Sequence, residues 1–158
     1  MTRYLVDASA IIHLERVGEV GLLRELLGEI HITAEVAVEL RGGPSSIGLD
    51  APQFKGWVVL LAGRRPIPRL GLGKGESSML LAARAGDRLV LDDAHARALA
   101  EARGLEYVGL LGLLLAGATT RRIERDRALR ILDALMATEF RLAPGLYTRA
   151  RQTLDAVK

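Results

Sequence analysis

The sequence contains no cysteine. This absence excludes disulfide bonds, thiolate zinc sites and cysteine nucleophiles. A metal ion would have to be held by oxygen ligands or by the three histidines, His13, His31 and His95, which are too scattered to form a zinc site. An excess of one charge is missing as well, because 22 basic and 19 acidic residues leave a net charge of only +3. That balance alone gives weak support for a nucleic-acid partner.

Long apolar runs are also absent. The longest run in the C-terminal half, residues 109–118, is broken by glycines and is far shorter than the roughly 20 residues of a membrane-spanning helix. An acidic residue at position 7 leaves no room for the apolar region of a signal peptide. We therefore predict a cytoplasmic protein with no membrane partner. The length of 158 residues and the 49% hydrophobic content predict one globular domain over residues 1–158.

Apolar periodicity predicts strands that alternate with helices. Because parallel strands need crossover connections, this alternation favours a parallel sheet covered by helices on both faces. Thr33 is a predicted helix N-cap, and Pro144 is a predicted first residue of a final helix. The predicted strands cover residues 3–6, 29–32, 57–61, 88–91 and 105–108, and the predicted helices cover residues 8–14, 22–27, 34–40, 76–85, 94–103 and 123–136.

Acidic residues follow two of these strands. Asp7 follows the first predicted strand, and Asp92 and Asp93 follow the strand at 88–91. In open α/β sheets, ligands bind outside the carboxyl ends of the strands. Glu39 belongs to the helix after the second strand, and Glu76 opens the helix that precedes the fourth. The order of these elements predicts that the carboxylates share one pocket.

Each acidic residue also has an interpretation that needs no ligand. Asp7 and Asp93 suit the N-cap positions of the helices that follow them. Glu76 in a first helical turn suits the helix dipole, and Glu39 suits an exposed helix face. Clustering favours a metal site, because adjacent carboxylates repel one another unless a cation neutralises them or one keeps its proton. Mg²⁺ and Mn²⁺ accept oxygen ligands and activate water, so phosphodiester hydrolysis is the predicted chemistry.

Four segments resemble, in order, the acidic motifs of PIN domains. The resemblance covers roughly residues 2–150. It implies a PIN-like three-layer α/β/α domain with a central parallel sheet. It also implies a VapC-like toxin ribonuclease that cuts single-stranded RNA with one or two Mg²⁺ or Mn²⁺ ions. The segments are residues 4–10 (YLVDASA), 35–40 (EVAVEL), 73–78 (GKGESS) and 91–97 (LDDAHAR), and the tail 109–114 (GLLGLL) resembles a prokaryotic PIN subgroup.

The resemblance assigns roles to the acidic residues. Asp7, Glu39, Glu76 and Asp93 are the expected catalytic and metal-binding acids. Asp92 is either a further metal or water ligand or a neighbour at the strand end that points away.

Other motif positions receive supporting roles by the same resemblance or by their place in the sequence. Ser9 is expected to form hydrogen bonds near the metal site. Arg97, four residues after Asp93, is interpreted as a supporting residue that faces the acids or a phosphate, or else as a solvated side chain. The fourth motif of the family usually carries Thr or Ser two residues before its Asp, whereas this sequence has Leu91 there.

RNA must approach a strongly negative pocket, so we expect a positive rim around it. The loop that leads to Glu76 carries the expected RNA-binding residues Arg64, Arg65, Arg69 and Lys74. The alternative is that this loop is merely solvated. The arginine-rich segment at residues 121–130 is likewise a solvated helix face or an RNA track.

If the protein is a toxin, the resemblance implies a small antitoxin partner, whose C-terminal segment lies over the acidic pocket, and a homodimer. Two other function classes remain open. One is another phosphoesterase with an acidic pocket, although the common Asp-x-Asp nucleophile motif is absent because position 9 is Ser. The other is a catalytically silent PIN fold that binds RNA or a protein partner.

Overall fold

The structure is a computed structural model that describes residues 1–63, 68 and 70–158. Its centre is a five-stranded, entirely parallel sheet with strand order β3-β2-β1-β4-β5. Helices flank this sheet in a three-layer α/β/α arrangement, as predicted. The strands are β1 (Tyr4–Val6), β2 (Ile30–Thr33), β3 (Val58–Leu61), β4 (Arg88–Val90) and β5 (Glu106–Val108).

The helices occur between and after the strands, largely where apolar periodicity predicts them. They are α1 (Ala8–Arg16), α2 (Gly21–Leu27), α3 (Ala34–Gly42), α4 (Lys74–Ala82), α5 (Ala94–Ala102), α6 (Leu110–Thr119), α7 (Arg125–Met136) and α8 (Pro144–Asp155). A short 3₁₀ helix, Pro52–Phe54, lies between α3 and β3. Among the described residues, no helix is both long enough and apolar enough to cross a membrane.

Local sequence accounts for where several helices begin and end. The hydroxyl of Thr33 accepts a hydrogen bond from the amide of Val36, which confirms its predicted N-cap role. Pro144 is the first residue of α8. Proline is favoured at this position because its fixed φ suits a helix and the N–H that it lacks would have no partner within the helix. Helix α4 differs from its predicted range: it begins at Lys74 and ends at Ala82, because Ala83 takes an extended conformation.

The central strands β1 and β4 are adjacent and in register, with Val6 paired to Val90. Their inner residues, together with apolar residues of the flanking helices, form the core. Asp7 therefore leaves the sheet next to the chain that continues from β4 into Asp92 and Asp93. The amide of Asp7 donates to the carbonyl oxygen of Val90, which ties the two strand ends together.

Candidate metal centre

Asp7 lies at the carboxyl end of β1 and caps the N-terminus of α1. It is buried, and its Oδ2 accepts hydrogen bonds from the Ser9 hydroxyl at 2.8 Å and the Ser9 amide at 3.4 Å. Its other oxygen, Oδ1, is buried with no hydrogen-bond partner among the described residues. An unpaired buried carboxylate oxygen is costly unless a cation or a proton compensates it.

Glu39 lies on α3 and is half-buried. It does not lie on an exposed helix face, which was the alternative interpretation of its position. Its Oε1 accepts a hydrogen bond from the amide of Gly75 at 2.9 Å. A Cβ atom at position 75 would lie only 2.6 Å from Glu39 Oε2. Glycine is therefore required for the carboxylate of Glu39 to approach the first turn of α4 this closely.

Glu76 lies in that first turn of α4 and is half-buried. A Cβ atom at Gly73 would lie 2.5 Å from Glu76 Oε2 and 3.7 Å from Glu39 Oε1. Both glutamates thus reach the space beside Gly73. The two glycines of the Gly-Lys-Gly-Glu segment provide room for carboxylates, a role that sequence reasoning did not identify.

The approach of α3 to α4 is fixed by buried hydroxyl groups. Thr33 Oγ1 and Ser78 Oγ lie 2.6 Å apart, and the Ser78 hydroxyl also lies 2.7 Å from the carbonyl oxygen of Gly75. Both side chains are buried, so these bonds form away from solvent. They hold the turn that carries Gly75 and Glu76 against the helix that carries Glu39.

Asp93 follows β4 and caps the N-terminus of α5. Its Oδ1 accepts a hydrogen bond from the amide of Ala96 at 2.7 Å. The residue is exposed, in contrast to Asp7. The N-cap interpretation of Asp7 and Asp93 therefore describes their local structure correctly, and it leaves carboxylate oxygens available at both strand ends.

Electrostatics link these acids to one another. Burial raises the pKa of Asp7 most, and the negative charge of Asp93 raises it further. Burial likewise raises the pKa of Glu39, to which the charge of Asp7 adds. Burial raises the pKa of Glu76, and the charges of Asp7, Glu39 and Asp93 all act in the same direction. The four predicted acids thus form one region of mutual repulsion.

The carboxylates of these acids nevertheless do not lie tightly together. Among the residues that the structure describes, no three acidic or histidine side chains lie together closely enough to hold a metal ion by themselves. Repulsion between carboxylates opposes a closer arrangement. The donor chemistry suits a hard cation, because Mg²⁺ usually keeps several waters and takes only one or two protein carboxylates directly.

Asp92 makes a different set of contacts. Its Oδ1 accepts hydrogen bonds from Arg97 Nη2 at 3.1 Å and from the amide of Leu110 at 3.2 Å. The Nε of Arg97 also donates to the carbonyl oxygen of Leu91, the position where the family usually has Thr or Ser. A Cβ atom at Gly109 would collide with Arg97 Nη2, so glycine allows the guanidinium to lie in this position. Asp92 therefore joins the end of β4 to the start of α6, and its role as a metal ligand stays a prediction.

The predicted RNA-binding residues are only partly described. Lys74 is exposed and begins α4, next to the glutamates. Arg64, Arg65 and Arg69 lie outside the described residues.

Sequence reasoning also missed Asp87, a buried carboxylate at the amino end of β4 that pairs with Arg3. Arg3 directly precedes β1 and Asp87 directly precedes β4, so opposite charges before two strands were the available signal for that pair.

Comparison with known proteins identifies the family. A family model described as a PIN domain matches residues 3–156, nearly the whole chain. No curated protein and no solved structure matches the sequence. PIN domains have a nuclease-like fold and are typically metal-dependent nucleases that use divalent ions. The order of the acidic motifs, the parallel sheet and this match agree, and the chain belongs to the PIN-domain family.

Proposed function

We propose that this protein is a Mg²⁺- or Mn²⁺-dependent endoribonuclease that cleaves single-stranded RNA. The observation that carries the proposal is Asp7 Oδ1, a buried carboxylate oxygen without a hydrogen-bond partner among the described residues. It lies in the region where Asp7, Glu39, Glu76 and Asp93 act on one another electrostatically. A divalent cation would compensate both the unpaired oxygen and the repulsion.

In this proposal the four acids hold the cation partly through its bound waters, and neighbouring groups orient the acids. Ser9 fixes Asp7 through Oδ2 and leaves Oδ1 for the ion, whereas the Gly75 amide fixes Glu39 through Oε1. The Ala96 amide fixes Asp93 through Oδ1. When bound, the divalent ion supplies Lewis-acid activation of water and of the phosphodiester. Because these bonds fix one oxygen of each residue, the other oxygen is free to act as a ligand.

Calorimetric titration with Mn²⁺ after removal of bound Mg²⁺ tests the proposal. We expect wild-type protein to bind Mn²⁺ and Asp7→Asn to bind it much more weakly. Glu101→Gln is the matched control, because it removes one negative charge from an exposed position on α5 without touching the proposed site. Equal binding by wild type and Asp7→Asn would contradict the metal site.

A catalytically silent fold that binds RNA or a protein partner is the second proposal. It is favoured by the N-cap bonds of Asp7 and Asp93, which account for both residues without a metal. This alternative predicts RNA binding without cleavage, and an affinity that does not change when Mn²⁺ is replaced by a chelator. Cleavage of a labelled single-stranded RNA only in the presence of Mn²⁺ would exclude it.

We also propose the finer role of a VapC-like toxin, with a small antitoxin partner, a homodimeric state and a cytoplasmic location. This part of the proposal rests on the motif resemblance alone. Induced expression in a bacterial host should arrest growth, and Asp7→Asn should relieve the arrest. Normal growth with soluble wild-type protein present would contradict the toxin role. The positive rim of Arg64, Arg65, Arg69 and Lys74 likewise stays a proposal.

A further inference from the structure

A cavity of about 500 Å³ opens beside the edge strand β5, directly next to Asp92. We refer to it as the β5 cavity. Its volume lies within the range of roughly 300–1,000 Å³ that small-molecule sites occupy. Asp92, which lines the cavity, directly precedes the proposed metal ligand Asp93 at the end of β4. Its lining includes Arg97, Tyr107, Phe140, Arg141, Leu142 and Leu146.

The wall of the β5 cavity exposes apolar and aromatic surface. Tyr107 is 38% exposed and Leu146 is 37% exposed, which is unusual for large hydrophobic side chains in this fold. Gly109 and Gly112 line the same cavity. A Cβ atom at Gly112 would lie 3.0 Å from Val108 Cγ2, so this glycine lets α6 lie close to β5. The result is an open apolar surface next to a polar site.

Planar and cationic groups lie on the same surface. The guanidinium of Arg97 lies over the ring of Tyr107, with Cζ 5.8 Å from the ring centroid. Bases of single-stranded RNA stack on aromatic rings and on guanidinium planes. Arg141 adds a second cation, and its Nη1 bonds the carbonyl oxygen of Thr138. A guanidinium has five N–H donors, so both arginines keep donors for a phosphate.

We propose that the β5 cavity binds one nucleotide of the RNA, with its base against Tyr107 and its phosphate near Arg97 and Arg141. This inference rests on the proposed function, because it extends the RNA path from the acidic site to the sheet edge. Charge complementarity favours a nucleotide: Arg97 is paired with Asp92, and Arg141, which forms no ion pair among the described residues, leaves a positive balance.

Two other cavities are less suitable as a further RNA site. The one between α3 and α4 is lined by Glu35, Glu39 and Lys74, so it includes a proposed metal ligand and belongs to the acidic site already described. Another, of about 660 Å³, lies at the segment from Arg121 to Arg127 beside Glu25. Arg127 there pairs with Glu19 and Glu25, and the described lining of this cavity includes no aromatic ring on which a base could stack. The β5 cavity combines an exposed aromatic ring, available cations and proximity to the acids.

Nuclear magnetic resonance titration of the ¹⁵N-labelled protein tests this site. The probes are adenosine 5′-monophosphate, uridine 5′-monophosphate and ribose 5-phosphate, which carries no base. We expect both nucleotides to shift the amide signals of Gly109 and Gly112, and ribose 5-phosphate to bind about five-fold more weakly or worse. The titration is run with a chelator, so it does not depend on metal binding.

Variants separate the base contact from the phosphate contact. Tyr107→Ala should weaken nucleotide binding about five-fold or more and leave the binding of ribose 5-phosphate unchanged. Tyr107→Phe keeps the aromatic ring and should retain nearly all of the affinity for nucleotides. Arg141→Ala should weaken all three probes. Leu60→Ala, at an exposed apolar residue on the opposite edge strand, is the matched control and should change nothing.

Several results would overturn the inference. Shifts confined to other surfaces, or equal binding by wild type and Tyr107→Ala, would show that the cavity does not bind a base. A protein that is dimeric, that binds no nucleotide and that becomes monomeric with Leu146→Glu would show that a second copy covers the cavity. The proposed function fails separately: absence of Mn²⁺ binding would refute the metal-dependent nuclease, while nucleotide binding at β5 would still support a nucleic-acid site.

Discussion

Two buried aspartates lie at opposite ends of the central strands, Asp7 directly after β1 and Asp87 directly before β4. Their exposures are nearly equal, 4% and 7%. Asp87 accepts hydrogen bonds from the guanidinium of Arg3 and from the amide of Arg84. Asp7 has only Ser9 as its side-chain partner, and one of its oxygens is unpaired among the described residues. The exposed fractions of the two side chains are therefore similar, whereas their partners differ.

The pKa values of the two residues shift in opposite directions. Burial raises the pKa of Asp7, and the bonds from Ser9 do not offset it. Burial alone would also raise the pKa of Asp87, but the hydrogen bonds and charges of Arg3 and Arg84 hold it below its usual value. Ionisable groups that have a shifted pKa and no stabilising ion pair are frequent at functional sites. At the amino end the carboxylate is paired and its charge stabilises the fold, whereas at the carboxyl end Asp7 keeps an oxygen that is unpaired among the described residues, as the proposed metal site requires.

Replacement of Asp7 should have the largest effect on RNA cleavage, because it removes a proposed metal ligand at the carboxyl end of β1. Loss of a residue that only orients a metal ligand typically costs 10–100-fold in activity, so loss of the proposed ligand in Asp7→Asn should lower kcat/KM by at least about 100-fold. The free energy of unfolding without metal should not fall, because a buried repulsive charge is removed. Cleavage of a fluorogenic single-stranded RNA and urea unfolding measure the two effects. Full activity in Asp7→Asn would refute the assignment.

A methyl group at position 75 should disturb the same site without removing any acid. In Gly75→Ala the new Cβ would lie 2.6 Å from Glu39 Oε2, so Glu39 must move. We expect activity to fall by about 10-fold to 100-fold, since Gly75 orients a proposed ligand and is not one itself. Gly86→Ala is a poor control because of its positive φ, whereas Gly145→Ala meets no neighbour within 4 Å and should keep full activity. Equal activities of the two variants would contradict the positioning role.

Removal of the carboxylate at the amino end should affect stability and leave the chemistry intact. Asp87→Asn leaves Arg3 without its charged partner in a largely buried place, which we expect to cost about 2 kcal/mol in the free energy of unfolding. The exposed pair Arg88–Glu106 is the matched control, and Glu106→Gln should cost less than about 1 kcal/mol. Urea unfolding at neutral pH gives both values. If Asp87→Asn lost as much RNA cleavage per folded molecule as Asp7→Asn, the proposed difference in role between the two aspartates would be refuted.

Sequence reasoning predicted most of the fold and did not predict the contacts of the acids, whose role as metal ligands stays a prediction. Alternating apolar segments indicated the parallel sheet, and the positions of Asp7 and Asp93 after strands followed from that topology. The Gly75–Glu39 bond depends on how closely α3 approaches α4, which is set by the buried Thr33–Ser78 contact. The Arg3–Asp87 pair joins residues 84 positions apart, and periodicity carries no information about such a contact.

The pH dependence of stability offers the finest test of the comparison. The pKa of Asp87 is lower in the folded protein than its value of about 3.9 in an unfolded chain, so the unfolded state takes up the proton first as the pH falls. The stabilisation by Asp87 is therefore complete above about pH 5 and is lost as the pH falls through the folded pKa. Asparagine does not titrate, so the stability difference between wild type and Asp87→Asn should shrink between about pH 5 and about pH 3. Glu106→Gln, on the exposed pair, should show only a small difference throughout this range. Urea unfolding at a series of pH values measures these differences, and a constant gap between wild type and Asp87→Asn would mean that the charge of Asp87 contributes nothing to its role at the amino end.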